Sequence, residues 1–311
     1  MTLFANLALL GCTGSDDAAS DSAALDSGTV TDTSNDPVWE QKRIESSSTI
    51  NGIYSSGSGV YAVGTAGFAF SGATDDPWVY MLIDVDDADL TDLWGSGKDE
   101  DTFLAASTTT GLVAQNVAGV WSTGSLDDTS TLEAVAGTDT ANLFAVGHGR
   151  AYHYDGTVWT YEQLPNNERL NDVYAVGDVA FAVGDGGDCA TRTGGAWAGC
   201  DLGVETDMNG VTGSDDDDVY AVGAGGTVLR FDGSAWDNLE CPSTETLWAV
   251  FAPENKVAYV VGSNGVALKY DHGEWVGLPT GVDNILYSVH GVSDVNVWAA
   301  GNRGMALHYR E

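Results

Sequence analysis

The chain has 311 residues and carries 46 acidic side chains against 11 Lys and Arg, a formal net charge of −35. A surface so poor in bases excludes nucleic acid as a partner, because phosphate contacts need Lys and Arg, and it disfavours direct adsorption to anionic lipid. Forty glycines, six prolines and ten tryptophans exclude a collagen-like, a proline-rich and a wholly disordered chain, and no apolar run approaches the ~18 residues of a membrane-spanning helix.

Residues 3–10 are mostly apolar, too short to span a bilayer, and run into Gly11 and Cys12. A short apolar run before a small residue reads as a secretory signal. Leu9-Leu10-Gly11-Cys12 resembles the lipobox of bacterial lipoproteins. The resemblance implies removal of residues 1–11 as a signal peptide and a diacylated Cys12 at the mature N-terminus. With Thr13 rather than Asp after the Cys, it also implies delivery to the outer membrane. No Lys or Arg precedes the apolar run, which departs from the usual signal. Residues 12–37 follow as an acidic tether, rich in Ser, Thr, Ala and Gly with six Asp, no base and no aromatic. Such a segment buries too little surface to offset its ordering entropy. Taking those six Asp from the formal −35 leaves −29 for the rest.

From residue 38 onward the chain repeats. A tryptophan recurs at Trp39, Trp78, Trp121, Trp159, Trp197, Trp236 and Trp275, at intervals of 38 to 43 residues. A second marker closes an Ala-Val-Gly-like strand at Gly64, Ser107, Gly147, Gly184, Gly223, Gly262 and Gly301. The clearest unit reads as four strands. Strand A is 208–212, strand B 219–223 and strand C 227–231; strand D carries Trp236. A polar turn at 214–218 separates A from B. Asp232-Gly233 and Asp155-Gly156 are hairpin signals, because the turn needs positive φ. Four strands every ~40 residues is the arithmetic of a β-propeller blade.

The last unit, from Leu286 to Tyr309, lacks its Trp strand. Val38-Trp39-Glu40 supplies one at the other end. The sequence therefore predicts an all-β, seven-bladed propeller over 38–311, closed by residues near 38–43 pairing with residues near 305–309. The recurrent tryptophan reads as filler between blades. In strand A the third residue is always small or short: Gly52, Asp92, Ala134, Asp172, Gly210, Ala249, Ser288. Asp92 and Asp172 are thus candidates to face the central channel, holding either a cation or water.

The motif Val-Tyr-Ala-Val-Gly-x-x-Gly-x-Val-x-x-Phe/Tyr-Asp-Gly-Ser-x-Trp resembles the BNR or Asp-box-like repeats of bacterial secreted propellers. It is also similar to the propellers of photosystem II stability and assembly factors. Asp and Gly are adjacent in Asp155-Gly156 and Asp232-Gly233, unlike the spaced pair of a strict Asp box.

No sequence motif points to catalysis. The few arginines are scattered, the five histidines lack zinc spacing, and no Gly-x-Ser-x-Gly, His-Glu-x-x-His or P-loop is present. No cofactor is implied, and calcium is the one ion the acidic turns suggest, without its regular ligand spacing. Asp215–Asp218 and 98–101 read as solvated turns. His153, Arg230, Lys269 and His308 occupy equivalent strand C positions and read as pairing locally with the acidic surface, a docking ring for an anionic partner being the alternative. Cys189 and Cys200 lie symmetrically about a hairpin turn, predicting a disulfide; a Cys200–Cys241 link is the alternative. The D-to-A loops carry Asp84, Asp86, Asp87, Asp89, Asp127, Asp128, Asp201, Glu205 and Asp207, predicting an acidic rim with Trp248 and Tyr287 near the channel mouth.

Together these features predict a monomeric, non-catalytic scaffold that reaches the membrane only through its lipid and binds a protein or glycan at the cell envelope. A glycan-active enzyme is the alternative.

Overall fold

The computed structural model describes residues 38–310 apart from 43, 45–46, 58, 74–77, 82, 84–87, 98–102, 118–119, 127–130 and 167. Cys12, the signal peptide, the tether, Asp84, Asp86, Asp87, residues 98–101, Asp127 and Asp128 lie outside the described residues. Among the described residues no helix is long and apolar enough to cross a membrane.

Among the described residues twenty-eight strands form seven four-stranded antiparallel sheets. β1 (Val38–Gln41) is set apart from the run that follows. Blade 1 is β2 (Ile50–Ser55), β3 (Gly59–Gly64), β4 (Ala69–Ala73) and β5 (Val79–Met81). Blade 2 is β6 (Leu90–Ser96), β7 (Phe103–Thr108), β8 (Leu112–Val117) and β9 (Val120–Ser125). Blade 3 is β10 (Leu132–Asp139), β11 (Asn142–Gly147), β12 (Arg150–Tyr154) and β13 (Trp159–Glu162). Blade 4 is β14 (Leu170–Val176), β15 (Val179–Gly184), β16 (Cys189–Thr193) and β17 (Ala196–Gly199). Blade 5 is β18 (Met208–Asp215), β19 (Asp218–Gly223), β20 (Val228–Phe231) and β21 (Trp236–Asn238). Blade 6 is β22 (Leu247–Glu254), β23 (Val257–Gly262), β24 (Ala267–Asp271) and β25 (Glu274–Gly277). Blade 7 is β26 (Leu286–Ser293), β27 (Asn296–Gly301) and β28 (Ala306–Arg310), completed by β1.

The closure follows the predicted register: Val38 faces Arg310, Trp39 faces Tyr309, Glu40 faces His308 and Gln41 faces Leu307. The ladder continues beyond β1, with Lys42 N donating to Ala306 O at 2.8 Å and Ile44 N to Gly304 O at 3.0 Å. Trp39 and Tyr309 are buried, their rings 5.3 Å apart, and Tyr309 lies 6.0 Å from Tyr259 of blade 6. Joining the two ends removes the open edge that a linear array of sheets would leave.

The marker glycine that ends the second strand in six of the seven blades, Ser107 standing in blade 2, answers to crowding. A Cβ on Gly184 would sit 1.7 Å from the Arg169 carbonyl oxygen, and on Gly301 1.8 Å from that of Ile285. The chain then makes a single 3-10 turn, as at Ala224–Gly226, whose last residue (Gly226, φ 76°) has a left-handed backbone that glycine adopts without strain.

The tryptophans lie between blades, as predicted. Trp197 meets Phe144 of blade 3 edge-on at 6.5 Å, and Trp78 meets Trp298 of blade 7 at 5.9 Å. Between blades 3 and 4, Glu162 takes both Arg192 Nε and Nη2 at 2.7 Å and Trp197 Nε1 at 2.8 Å.

One reading of charge changes and one holds. The turn expected at 214–218 is shorter, since β18 runs to Asp215 and β19 begins at Asp218. Asp218 is fully buried rather than solvated. It accepts from Ser214 Oγ (2.7 Å), Tyr220 Oη (3.2 Å), Arg230 Nε (2.6 Å) and the Lys256 backbone N–H of blade 6 (3.1 Å). A buried carboxylate persists because every lone pair is occupied. Three of the strand C bases pair locally with acids, as expected: Arg230 with Asp218 (2.6 Å), Lys269 with Asp271 (3.3 Å) and His153 with Glu162 (3.8 Å). Each of the four lies against the aromatic opposite it on the second strand: His153 on Phe144 (4.8 Å), His308 on Trp298 (4.0 Å), Arg230 by Tyr220 (5.9 Å) and Lys269 by Tyr259 (5.6 Å).

Cys189 and Cys200 are disulfide-bonded with Cα atoms 5.3 Å apart, and Cys241 is free. The Cys200–Cys241 alternative is excluded, because the hairpin already places Cys200 N on Cys189 O at 3.2 Å.

Candidate functional site

In every blade the innermost strand slips register after its first residue, between Ile50 and Gly52, Leu90 and Asp92, Leu132 and Ala134, Leu170 and Asp172, Met208 and Gly210, Leu247 and Ala249, and Leu286 and Ser288. A bulge leaves one residue unpaired and re-aims its side chain. The unpaired residues are Asn51, Thr91, Glu133, Asn171, Asn209, Trp248 and Tyr287.

Four of these seven clasp the next blade by donating to the carbonyl of its first strand residue. Asn51 Nδ2 reaches Leu90 O (2.8 Å), Thr91 Oγ1 reaches Leu132 O (2.9 Å), Asn171 Nδ2 reaches Met208 O (3.0 Å) and Asn209 Nδ2 reaches Leu247 O (2.9 Å). The series of clasps is interrupted at Glu133, Trp248 and Tyr287. All seven residues line a depression of about 480 Å³ together with Asp185 and Asp207. The Trp248 and Tyr287 rings stand 5.3 Å apart at 63°, and Trp248 Nε1 donates to Ser263 Oγ at 3.1 Å. Glu133 pairs with His148 at 3.3 Å.

Below this mouth the third strand residues line a channel cavity of about 340 Å³ that includes Asp92, Asp172 and Ser288. Each reaches the fourth backbone N–H of the following blade. Asp92 Oδ2 accepts from Val135 N (3.0 Å), Asp172 Oδ2 from Val211 N (2.7 Å) and Ser288 Oγ from Ile53 N (3.1 Å). Asp172 Oδ1 also takes Val173 N at 2.8 Å. Burial pushes the Asp92 carboxyl up to about 6 against the pull of its backbone donors. Burial also raises Asp172 well above the ordinary range, and the Asp92 charge adds to it. Both carboxylates thus act as clamps between blades as well as channel lining. Among the described residues no group of three or more His, Cys, Asp or Glu is placed to hold a metal ion.

Further along the channel the fifth strand residues are Tyr54, Trp94, Ala136, Tyr174, Thr212, Phe251 and His290. His290 Nδ1 accepts from Ser55 N at 3.1 Å, which fixes the ring as an acceptor there. Its ring centroid lies 4.7 Å from Tyr54 and 5.2 Å from Phe251, and burial lowers its pKa to about 4.

The structure therefore gathers the four channel residues singled out from sequence at two depths: Trp248 and Tyr287 at the mouth, Asp92 and Asp172 below. Of the described loop acids, Asp89 and Asp207 turn back to cap the preceding blade, accepting from Ala66 N (2.7 Å) and Gly186 N (2.8 Å). Sequence reasoning missed Glu133, the clasping amides and the aromatic layer with His290. They stand in fixed columns one residue before and two residues after the small third position, but the bulge that turns the first column inward leaves no mark in the sequence.

No family model matches the chain, and a search of curated proteins finds no match. Solved structures are similar in fold. YCF48 bound to D1 peptide shares 15% identity and a TM-score of 0.70 over 88% of this chain and 97% of that one. YCF48 from Cyanidioschyzon merolae shares 15% identity with a TM-score of 0.71 over 88% and 99%. A streptogramin B lyase structure shares 13% identity with a TM-score of 0.78 over 88% and 97%. At such identities the likeness establishes the fold, a closed seven-bladed β-propeller, and no chemistry.

Proposed function

We propose that the chain is a non-catalytic binding or assembly scaffold of the cell envelope, tethered to the outer membrane through Cys12, that takes a protein partner at the channel mouth. The observation that carries this reading is the interrupted ring of bulges. Asn51, Thr91, Asn171 and Asn209 are committed to holding blades together, whereas Trp248 and Tyr287 present half-buried rings to an open depression. Aromatic side chains at a concave surface are favoured anchors for a partner. The carboxylates of Glu133, Asp185 and Asp207 around them favour a basic segment over an acidic one. The YCF48 neighbour that was solved with a peptide bound supports protein over glycan as the occupant.

The test is crosslinking in envelope extract with the chain carrying Cys12→Ser, beside the same chain carrying Trp248→Ala and Tyr287→Ala. A partner captured by the first and lost by the second supports the reading; equal capture by both removes it.

A glycan-active enzyme on the same axis is the second reading, favoured by the two buried carboxyls Asp92 and Asp172 with raised pKa values. It predicts turnover of a glycoside panel that disappears with Asp92→Asn or Asp172→Asn.

A further inference from the structure

Among the described residues two outer-strand tryptophans place their N–H on a partner three residues beyond the tryptophan of the preceding blade, while the N–H groups of Trp39 and Trp121 meet no acceptor. Trp197 donates to Glu162, three past Trp159, and Trp275 donates to the Leu239 carbonyl, three past Trp236, at 3.0 Å. For Trp236 the corresponding residue is Cys200, which is bonded to Cys189. No hydrogen bond joins it to Trp236 among the described residues. Cys200 and Trp236 instead line an opening beside the packed seam between blades 4 and 5.

The opening is a cleft of about 650 Å³. Its aromatic wall is Trp236 against Phe231 (5.4 Å) and Phe231 against Phe181 (5.7 Å). No Lys, Arg or His lines it, while Asp201 and Asp216 do, both exposed. It shares no lining residue with the channel or its mouth. A concavity of roughly 300–1,000 Å³ with apolar walls and few polar groups has the character of a small-ligand pocket.

We propose that this cleft binds a small organic cation with an aromatic body, an arylalkylammonium. The body lies in the cleft against the open sides of Phe231 and Trp236, whose rings are in contact with each other. The ammonium is attracted both by ring faces and by the carboxylates of Asp201 and Asp216. The strongly acidic chain favours the same sign of ligand charge at long range. The proposal is independent of what binds at the channel mouth.

The test is titration of the full chain with phenethylammonium, followed by tryptophan fluorescence and calorimetry, beside the neutral 2-phenylethanol. The expected result is saturable one-to-one binding of the ammonium, at least about tenfold tighter than the alcohol. Trp236→Leu should weaken it by about tenfold or more. The double variant Asp201→Asn, Asp216→Asn should bring the ammonium to the level of the alcohol. Thr193→Trp, which fills the cleft, should abolish binding without lowering the melting temperature, separating loss of the site from loss of the fold. Trp248→Leu, at the mouth, should leave binding unchanged. Absence of saturation, equal affinity for ammonium and alcohol, or loss of binding on Trp248→Leu with Trp236→Leu neutral would each overturn the proposal.

Discussion

Gly95 has no side chain because Tyr54 of the preceding blade lies where one would be: a Cβ there would come within 2.5 Å of the tyrosine ring. The relationship repeats around the channel. Trp94 occupies the Cβ space of Gly137 (3.1 Å), Tyr174 that of Gly213 (2.8 Å) and Phe251 that of Gly291 (2.9 Å). Each large ring on a fifth residue is matched by a glycine on the sixth residue of the next blade. Gly95→Ala should therefore cost about 1–3 kcal/mol by overpacking. Gly277→Ala, where nothing lies within 4 Å, should cost little. Denaturant unfolding of the two variants side by side checks this.

Asp218 collects the Ser214 and Tyr220 hydroxyls, the Arg230 guanidinium and the Lys256 N–H in a fully buried site. Asp218→Ala leaves a half-buried guanidinium and several donors unpaired. Breaking a buried pair by removing one partner costs about 3–5 kcal/mol. Replacing Asp216, exposed two residues earlier, should change stability by less than about 0.5 kcal/mol. Paired melting curves distinguish an internal joint from a solubilising turn.

Two groups in the channel respond to acid with opposite sign. The Asp92 carboxyl is raised from its ordinary 3.8 to about 6, so the folded chain holds a proton there that the unfolded chain has released. Its contribution to stability is largest below pH 3.8 and falls as pH rises to about 6. The His290 ring is lowered from 6.5 to about 4, so the unfolded chain takes up a proton that the folded chain refuses. Its contribution is present above pH 6.5 and is lost as pH falls towards 4. The two slopes oppose each other over the same window. Asp92→Asn should make the melting temperature fall more steeply on acidification between pH 6.5 and 4, and His290→Gln should make it fall less steeply. Because the Asp92 charge acts on Asp172, the Asp92→Asn difference reports the two carboxyls together, and the His290→Gln difference reports the ring.

Ring closure rests on few side chains. Trp39 is buried on Tyr309, and Arg310 forms an ion pair with Glu40. Trp39→Ala should cost about 3–5 kcal/mol and raise hydrogen exchange first in β28, whose outer neighbour is β1. Arg310→Ala removes only a partly exposed pair and should cost at most about 1 kcal/mol.

The wheel was legible because its signals are local and recur seven times. A tryptophan and a crowded glycine mark each unit, and the missing outer strand of the last unit stands at Val38-Trp39-Glu40. The channel residues were legible in part, since Asp92 and Asp172 break a column of small residues. The bulge was not, because a register slip leaves no mark in the hydrophobic alternation. Asn51 or Glu133 therefore reads as an ordinary polar strand residue. Asp218 was misread for a related reason. Four consecutive aspartates look alike, and only the aromatic and arginine that fold over the last of them set it apart. The strand C bases were placed on a common ring correctly. Their local pairing with acids was legible too, whereas the aromatics each lies against, Phe144, Tyr220, Tyr259 and Trp298, sit on another strand and were not.

The sevenfold bulge also divides the mouth into two kinds of position. Asn51, Thr91, Asn171 and Asn209 are fasteners, and altering any of them loosens a joint between neighbours. Among the described residues Glu133, Trp248 and Tyr287 donate no such clasp, although the Trp248 and Tyr287 rings meet across the boundary of blades 6 and 7. On the proposed function, selectivity at the rim changes at those three addresses while the four clasps are kept. Relatives with this layout would diverge in selectivity fastest at those three columns.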